Sequence, residues 1–189
     1  MDEIKTLEQE RNELNVLINK GVSFSVIDTG FEEKRVFFGL IKKRTPVKIE
    51  RSFKIEEPTL GTLDRLSAEW IEFDIDETKL KTDNGIHLVK TLVGSHALRC
   101  AKIIALAVLG SDYLIPKLSR NGVTHYVEDT KQLDELTALF ARVIKPSKLY
   151  QLYVLINAMC NLGDFMNSIR LMYTDRTTMP IRIEQNTEV

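Results

Sequence analysis

The chain has two cysteines among its 189 residues, Cys100 and Cys160, and they lie far apart in apolar surroundings. That rules out the dense disulfide framework of a small secreted domain and the close cysteine spacing of a zinc site. Two buried free thiols in a reducing compartment are expected instead. Long hydrophobic runs are also missing: the longest purely apolar stretch, Ile103 to Leu109, is far short of the ~20 residues that cross a bilayer. The opening Met1-Asp2-Glu3-Ile4-Lys5 alternates charge with apolar residues, whereas an export signal needs a basic start and then an unbroken apolar stretch. Neither sign of charge dominates, since 26 basic and 27 acidic side chains give a net charge of -1 and a pI near 6.3. No global field draws the protein to polyanions. The expectation is a soluble cytoplasmic protein without membrane contact, for which nucleic acid is an unlikely partner.

Catalytic and cofactor motifs are scarce as well. There is no phosphate-binding Gly-x-x-x-x-Gly-Lys loop, no Gly-x-Gly-x-x-Gly turn, no His-Glu-x-x-His helix and no Gly-x-Ser-x-Gly elbow. Asp74, Asp76 and Thr78 begin like a calcium loop, but Lys79 stands where the loop needs glycine and Gly85 where it needs glutamate. Of the three histidines, His87, His96 and His125, only His96 has a thiol at helical spacing, Cys100. Two ligands on one apolar stripe describe a packed, hydrogen-bonded histidine beside an inert thiol rather than a metal site or a catalytic pair. No enzyme activity, metal or cofactor is expected.

What the chain does have is apolar periodicity: 43% of its residues are hydrophobic and 28% charged, enough for one sizeable core. Ile4, Leu7, Leu14, Leu17 and Ile18 recur at helical spacing up to Gly21, a helix that either docks on the core or pairs with another chain. From Val22 the period shortens. Val22, Phe24 and Val26 alternate, Asp28-Thr29-Gly30 supplies a turn, and Val36-Phe37-Phe38 and Val47 to Ile55 read as further strands, with Val47, Ile49, Phe53 and Ile55 on one half-buried face.

Beyond Pro58, Thr59 or Thr62 can cap a helix carrying Leu60, Leu63, Leu66, Trp70 and Ile71, followed by a polar connector at Asp74 to Gly85. Ile86, Val89, Val93, His96, Cys100, Ile103 and Ala107 form the stripe of a central core helix ending near Gly110. Asn121-Gly122 marks a turn. Asp129 or Thr130 caps a helix with Leu133, Leu136, Phe140, Val143 and Ile144 on one face; Lys145-Pro146 ends it. Ser147 opens a helix apolar enough to be buried, and Asp164 starts a last one through Phe165, Ile169 and Met172. The fold class is therefore α+β, mainly α: a helical bundle-like body with a small antiparallel β-sheet near the N-terminus. Its sections are an amphipathic helix (1–21), a β-rich part (22–57), the helical body (58–178) and a tail or short strand around Pro180 to Glu184 (179–189), all in one compact domain.

Charge is divided sharply between neighbours. From Lys34 to Lys54 eight basic residues meet one acid, a formal +7; from Glu56 to Glu77 eight acids meet Arg65, a formal -7. Either the two segments compensate one another, or they form a bipolar surface that steers a partner or stacks copies head to tail. On the second reading Lys42, Lys43, Arg44, Lys48, Arg51 and Lys54 bind an acidic protein surface. A regulatory protein that grips nucleic acid with the basic 34–54 segment, stacking bases on Phe37 or Phe38, is the alternative.

The string Phe53-Lys54-Ile55-Glu56-Glu57-Pro58-Thr59-Leu60-Gly61-Thr62-Leu63 resembles the entry to the helical part of phage tail assembly chaperones and related prophage proteins, and Asn161-Leu162-Gly163-Asp164-Phe165-Met166 is similar in kind. The resemblance implies a small, non-enzymatic protein-binding factor that holds an aggregation-prone tail component during assembly.

Overall fold

The computed structural model describes residues 20–36, 41–73 and 85–174. Strands β1 (Val22–Val36) and β2 (Ile41–Ile55) form one antiparallel ribbon; α1 (Leu60–Ile71) and α2 (Gly85–Leu109) follow, then a 3-10 turn, Gly110–Tyr113. A short hairpin of β3 (Leu114–Leu118) and β4 (Thr124–Glu128) leads to α3 (Thr130–Val143), α4 (Pro146–Met159) and α5 (Leu162–Thr174). The fold is α+β and mainly helical, with a small antiparallel sheet near the N-terminus. The N-terminal amphipathic segment (1–19), most of the polar connector (74–84), Phe37, Phe38 and the tail after Thr174 lie outside the described residues.

The core is built around the second half of α2. Ala101, Ile103, Ile104, Ala105, Leu106, Ala107 and Leu109 are all buried, and this half is covered on several sides by Leu63 and Leu66 of α1, Leu133, Leu136, Leu139 and Phe140 of α3, and Leu152, Ile156 and Met159 of α4. By length and composition, Val89–Tyr113 could also cross a bilayer. Its apolar half is spent on this core, however, and Arg99 and Lys102 project from it to ion-pair with Glu69 of α1 at 3.2 and 2.5 Å. Caps fall where the side chains allow. Thr59 accepts from the Thr62 amide, and Asp129 accepts from the Gln132 amide at 3.0 Å. Buried Thr62 has a different role: its hydroxyl donates to the Gly110 carbonyl at 2.7 Å, tying α1 to the end of α2.

The ribbon departs from the expected three-stranded sheet. Asp28-Thr29-Gly30 is not a turn; β1 continues through it, and all fifteen residues pair with β2, Val22 opposite Ile55 and Val36 opposite Ile41. Tertiary contacts override the local turn propensity. Asp28 is held by Arg51 at 3.5 Å and by Arg142 of α3, and at Gly30 the Ile49 side chain lies close over the backbone. At ~3.4 Å per residue the ribbon is roughly 50 Å long; Asp28, midway along it, still reaches Arg142 of α3, and the apolar packing on the body is at its base. There Phe24, Phe53 and Phe140 form a three-ring cluster with centroids 5.0 to 6.0 Å apart. Val47 and Ile49 do share a face with Phe53 and Ile55, but they lie beyond the body and are exposed, as are Ile27 and Phe31.

Other expectations are corrected in the helical part. The β3–β4 hairpin flanking Asn121-Gly122 reads as featureless in the sequence because its strands are five residues long and mostly exposed. Leu60 and Ile71 face solvent rather than the core. The α2 stripe is real, yet its first half, Ile86, Val89 and Val93, is uncovered. The helix starting at Pro146 is buried only along Leu152, Ile156 and Met159; Tyr150, Tyr153 and Val154 are exposed. The last helix begins at Leu162, and none of its residues is buried.

Candidate protein-binding surface

An open apolar groove of about 510 Å³ lies where α1, α2 and α4 meet. Trp70 and Phe73 form one wall, Cys100, Ile103 and Ile104 the floor, and Pro146, Leu149, Tyr150, Tyr153 and Ile156 the other wall. The groove exists because α1 stops at Ile71 while α4 starts late at Pro146, so the middle of α2 is covered from two sides without being closed over. Its lining is almost entirely carbon, and Trp70 brings a buried Nε1 with no hydrogen-bond partner among the described residues. Just beside it His96 stacks on Phe73, ring centroids 5.0 Å apart. His96 is half-buried, and its Nδ1 has no partner among the described residues, which corrects the expectation of a buried, hydrogen-bonded histidine. Cys100 is also half-buried, and desolvation raises its thiol pKa above the ordinary value; at Cys160, which is buried, the same cause pushes it up to about 11. Among the described residues no three His, Cys, Asp or Glu side chains gather as a metal site.

The second apolar surface is α5. Leu162, Phe165, Met166, Ile169, Met172 and Tyr173 recur at steps of three, one, three, three and one, which places them on one helical stripe, all at least 38% exposed. The turn before it is firmly built. Asn161 adopts a left-handed conformation (φ 45°), its side-chain amide donates to Asp164 at 3.0 Å, and the Phe165 amide donates to its carbonyl at 3.2 Å. Together the groove, the α5 stripe and the bare first half of α2 leave more large apolar side chains outside than scattered surface hydrophobics account for. Sequence periodicity placed the α2 stripe in a core helix and expected the helix after Pro146 to be buried, and it identified the stripe of the last helix without assigning its cover.

The six basic candidate residues do not form one patch. Lys42 and Lys43 are the register partners of Arg35 and Lys34 at the distal end of the ribbon. Arg44 pairs with Glu33 at 2.8 Å, Arg51 reaches Asp28 and lies over the Phe53 ring, Lys54 pairs with Glu56 at 2.6 Å, and Lys48 projects into solvent. Among the described residues, compensation between the basic and acidic segments reduces to Lys54–Glu56. The α1 acids Glu69 and Glu72 are instead met by Arg99 and Lys102 of α2, and Arg65 is met by Glu128 of β4. No protein-family model matches the chain, and no curated protein or solved structure matches it either.

Proposed function

We propose that this chain is a non-enzymatic, cytoplasmic protein-binding factor of the phage tail assembly chaperone type, holding an apolar helical segment of a tail component until assembly. The observation that supports this reading is the aromatic-lined groove of about 510 Å³ beside helices whose apolar faces are uncovered. A helix-in-groove partner needs a concave apolar channel with aromatic walls, and Trp70, Phe73, Tyr150 and Tyr153 supply them. The basic ribbon, including Lys42, Lys43, Arg44, Lys48, Arg51 and Lys54, then guides an acidic region of the same partner into place.

The reading is tested by co-expression with tail tube and tape-measure proteins of a phage from the same host, scoring soluble client recovered with the tagged chain. A soluble one-to-one complex, lost with Tyr150→Glu plus Tyr153→Glu, is expected. Clients that stay insoluble, or that are recovered equally with the groove variant, would remove the reading. The like-charge register of Lys34 with Lys43 and Arg35 with Lys42 supports one alternative, a regulatory protein whose two-stranded ribbon enters a nucleic-acid groove. Steeply salt-dependent duplex binding, lost on reversal of Lys42 and Lys43, would promote it.

A further inference from the structure

We propose that two copies of this chain pair by exchanging α5, the apolar stripe of each helix lying in the groove of the other copy. The two surfaces complement one another in shape and chemistry: one is a ridge of aliphatic, Met and aromatic side chains, the other a channel walled by aromatics, and both are uncovered. Met166 and Met172 suit a channel of irregular outline, because an unbranched thioether adapts to the space it finds. The turn at Cys160 and Asn161 favours exchange over self-closure. Cys160 is buried and its amide donates to Ile156, Asn161 braces Asp164, and α5 leaves the body without burying a single residue of its own. No α5 residue lines the groove of its own copy.

The open groove distinguishes exchange from simpler pairing. From their fractional exposures the six stripe residues present on the order of 700 Å², just under the roughly 800 Å² per partner of a standard interface. Stripe against stripe therefore reaches the lower part of the standard range, but it leaves both grooves open. Reciprocal exchange uses each copy's stripe and each copy's groove and closes as a two-fold dimer. The inference rests on the same apolar surface as the proposed function, but it concerns the purified protein without any client. A monomer that still holds client removes only the dimer, and a dimer that holds none removes only the chaperone reading.

The test is sedimentation equilibrium of the full chain with two exposed-site variants, Ile169→Asp on the stripe and Tyr150→Glu on the groove rim. Circular dichroism of each variant checks that its fold is kept. The wild type is expected to be a dimer, and each variant to weaken self-association by more than about tenfold, as charging an interface hot spot does. Mixing the variants is expected to recover a heterodimer, since one supplies an intact groove and the other an intact stripe. Alkylation of Cys100 should be slow in the wild-type dimer and fast in Ile169→Asp, with buried Cys160 unreactive in both as the reference. A wild type that is monomeric at all concentrations overturns the proposal, including the case where Cys100 is protected, which would place residues 1–19 or another part of the same chain in the groove. Dimers insensitive to either variant, or a mixture that recovers nothing, also overturn it.

Discussion

Helices α3 and α5 are nearly the same length, 14 and 13 residues, and carry equally regular apolar stripes, yet they end in opposite environments. In α3 the stripe is consumed: Leu133, Leu136, Leu139 and Phe140 are buried against α2 and the ribbon base. In α5 no residue is buried. The periodicity of a helix states that it has a face and is silent on what covers it. Coverage depends on which neighbours the chain has already placed. α3 follows a hairpin that returns it to α2, with the Asp129 amide donating to the Tyr113 carbonyl at 2.8 Å; α5 follows a two-residue turn and buries none of its residues.

The comparison is sharpest under truncation. Phe140→Ala should cost ~3–5 kcal/mol, because it empties a fully buried site and detaches the ring cluster that anchors the ribbon. Thermal unfolding measures it, and a loss under about 1 kcal/mol would mean the ribbon is not anchored there. Trp70→Ala, on a half-buried groove wall, should cost roughly 2 kcal/mol, less than full burial carries. Phe165→Ala in α5, measured in dilute monomer, should stay within about ±0.5 kcal/mol, the range of ordinary surface changes. If Phe165→Ala rivals Phe140→Ala in dilute monomer, α5 is covered by its own chain and the contrast disappears.

Much of this fold was legible because its signals are local. The caps at Thr59 and Asp129, the stop at Lys145-Pro146, the buried half of α2 and the common face of Val47, Ile49, Phe53 and Ile55 all follow from spacing and side-chain chemistry. What was not legible is long-range. The uninterrupted pairing of β1 with β2, some twenty residues on at Asp28–Ile49, makes continuous strand of an apparent Asp-Thr-Gly turn. The groove, too, depends on where α1 stops relative to α4. Most of its residues fall on helices that the periodicity marks, but no periodicity says that Trp70 and Tyr153 will line one groove.

A smaller effect separates the hairpin end of the body from the groove end. Buried Tyr113, Glu128 and Arg65 form a linked set: burial, then the hydrogen bond to Glu128, pushes the Tyr113 phenol up to about 12, while the bond from Tyr113 and the Arg65 guanidinium hold the Glu128 carboxyl below its ordinary range. A depressed carboxyl gives stability present above its unfolded value and lost as pH falls. A raised phenol gives stability present below pH 10 that is lost as pH rises toward about 12. Glu128→Gln should flatten the acid limb of the melting profile, by no more than about 1 kcal/mol for so exposed an ion pair. An unchanged acid limb would mean the set carries no linkage.

The ribbon adds a kinetic contrast. Reversing Lys42, Lys43 and Arg44 to glutamate puts opposite charges in register with Arg35 and Lys34 but replaces the exposed Arg44–Glu33 pair with two register-paired glutamates, small surface effects of opposite sign that should leave the fold in place. Association with an acidic partner should slow and lose much of its salt dependence. Stopped-flow rates at two ionic strengths measure this, and unchanged rates would confine the charge division to the ribbon's own stability.

Trp70 is the chain's single tryptophan and lines the groove, so its emission reports directly on whether that surface is a binding site. The measurement is a titration of the Ile169→Asp protein, whose own stripe is disabled, with a peptide spanning residues 162–174. A saturable blue shift, abolished by Tyr150→Glu in the protein or by Ile169→Asp in the peptide, is the predicted result. Emission that stays constant to peptide saturation, in a protein that remains folded, would mean the groove takes no apolar helix.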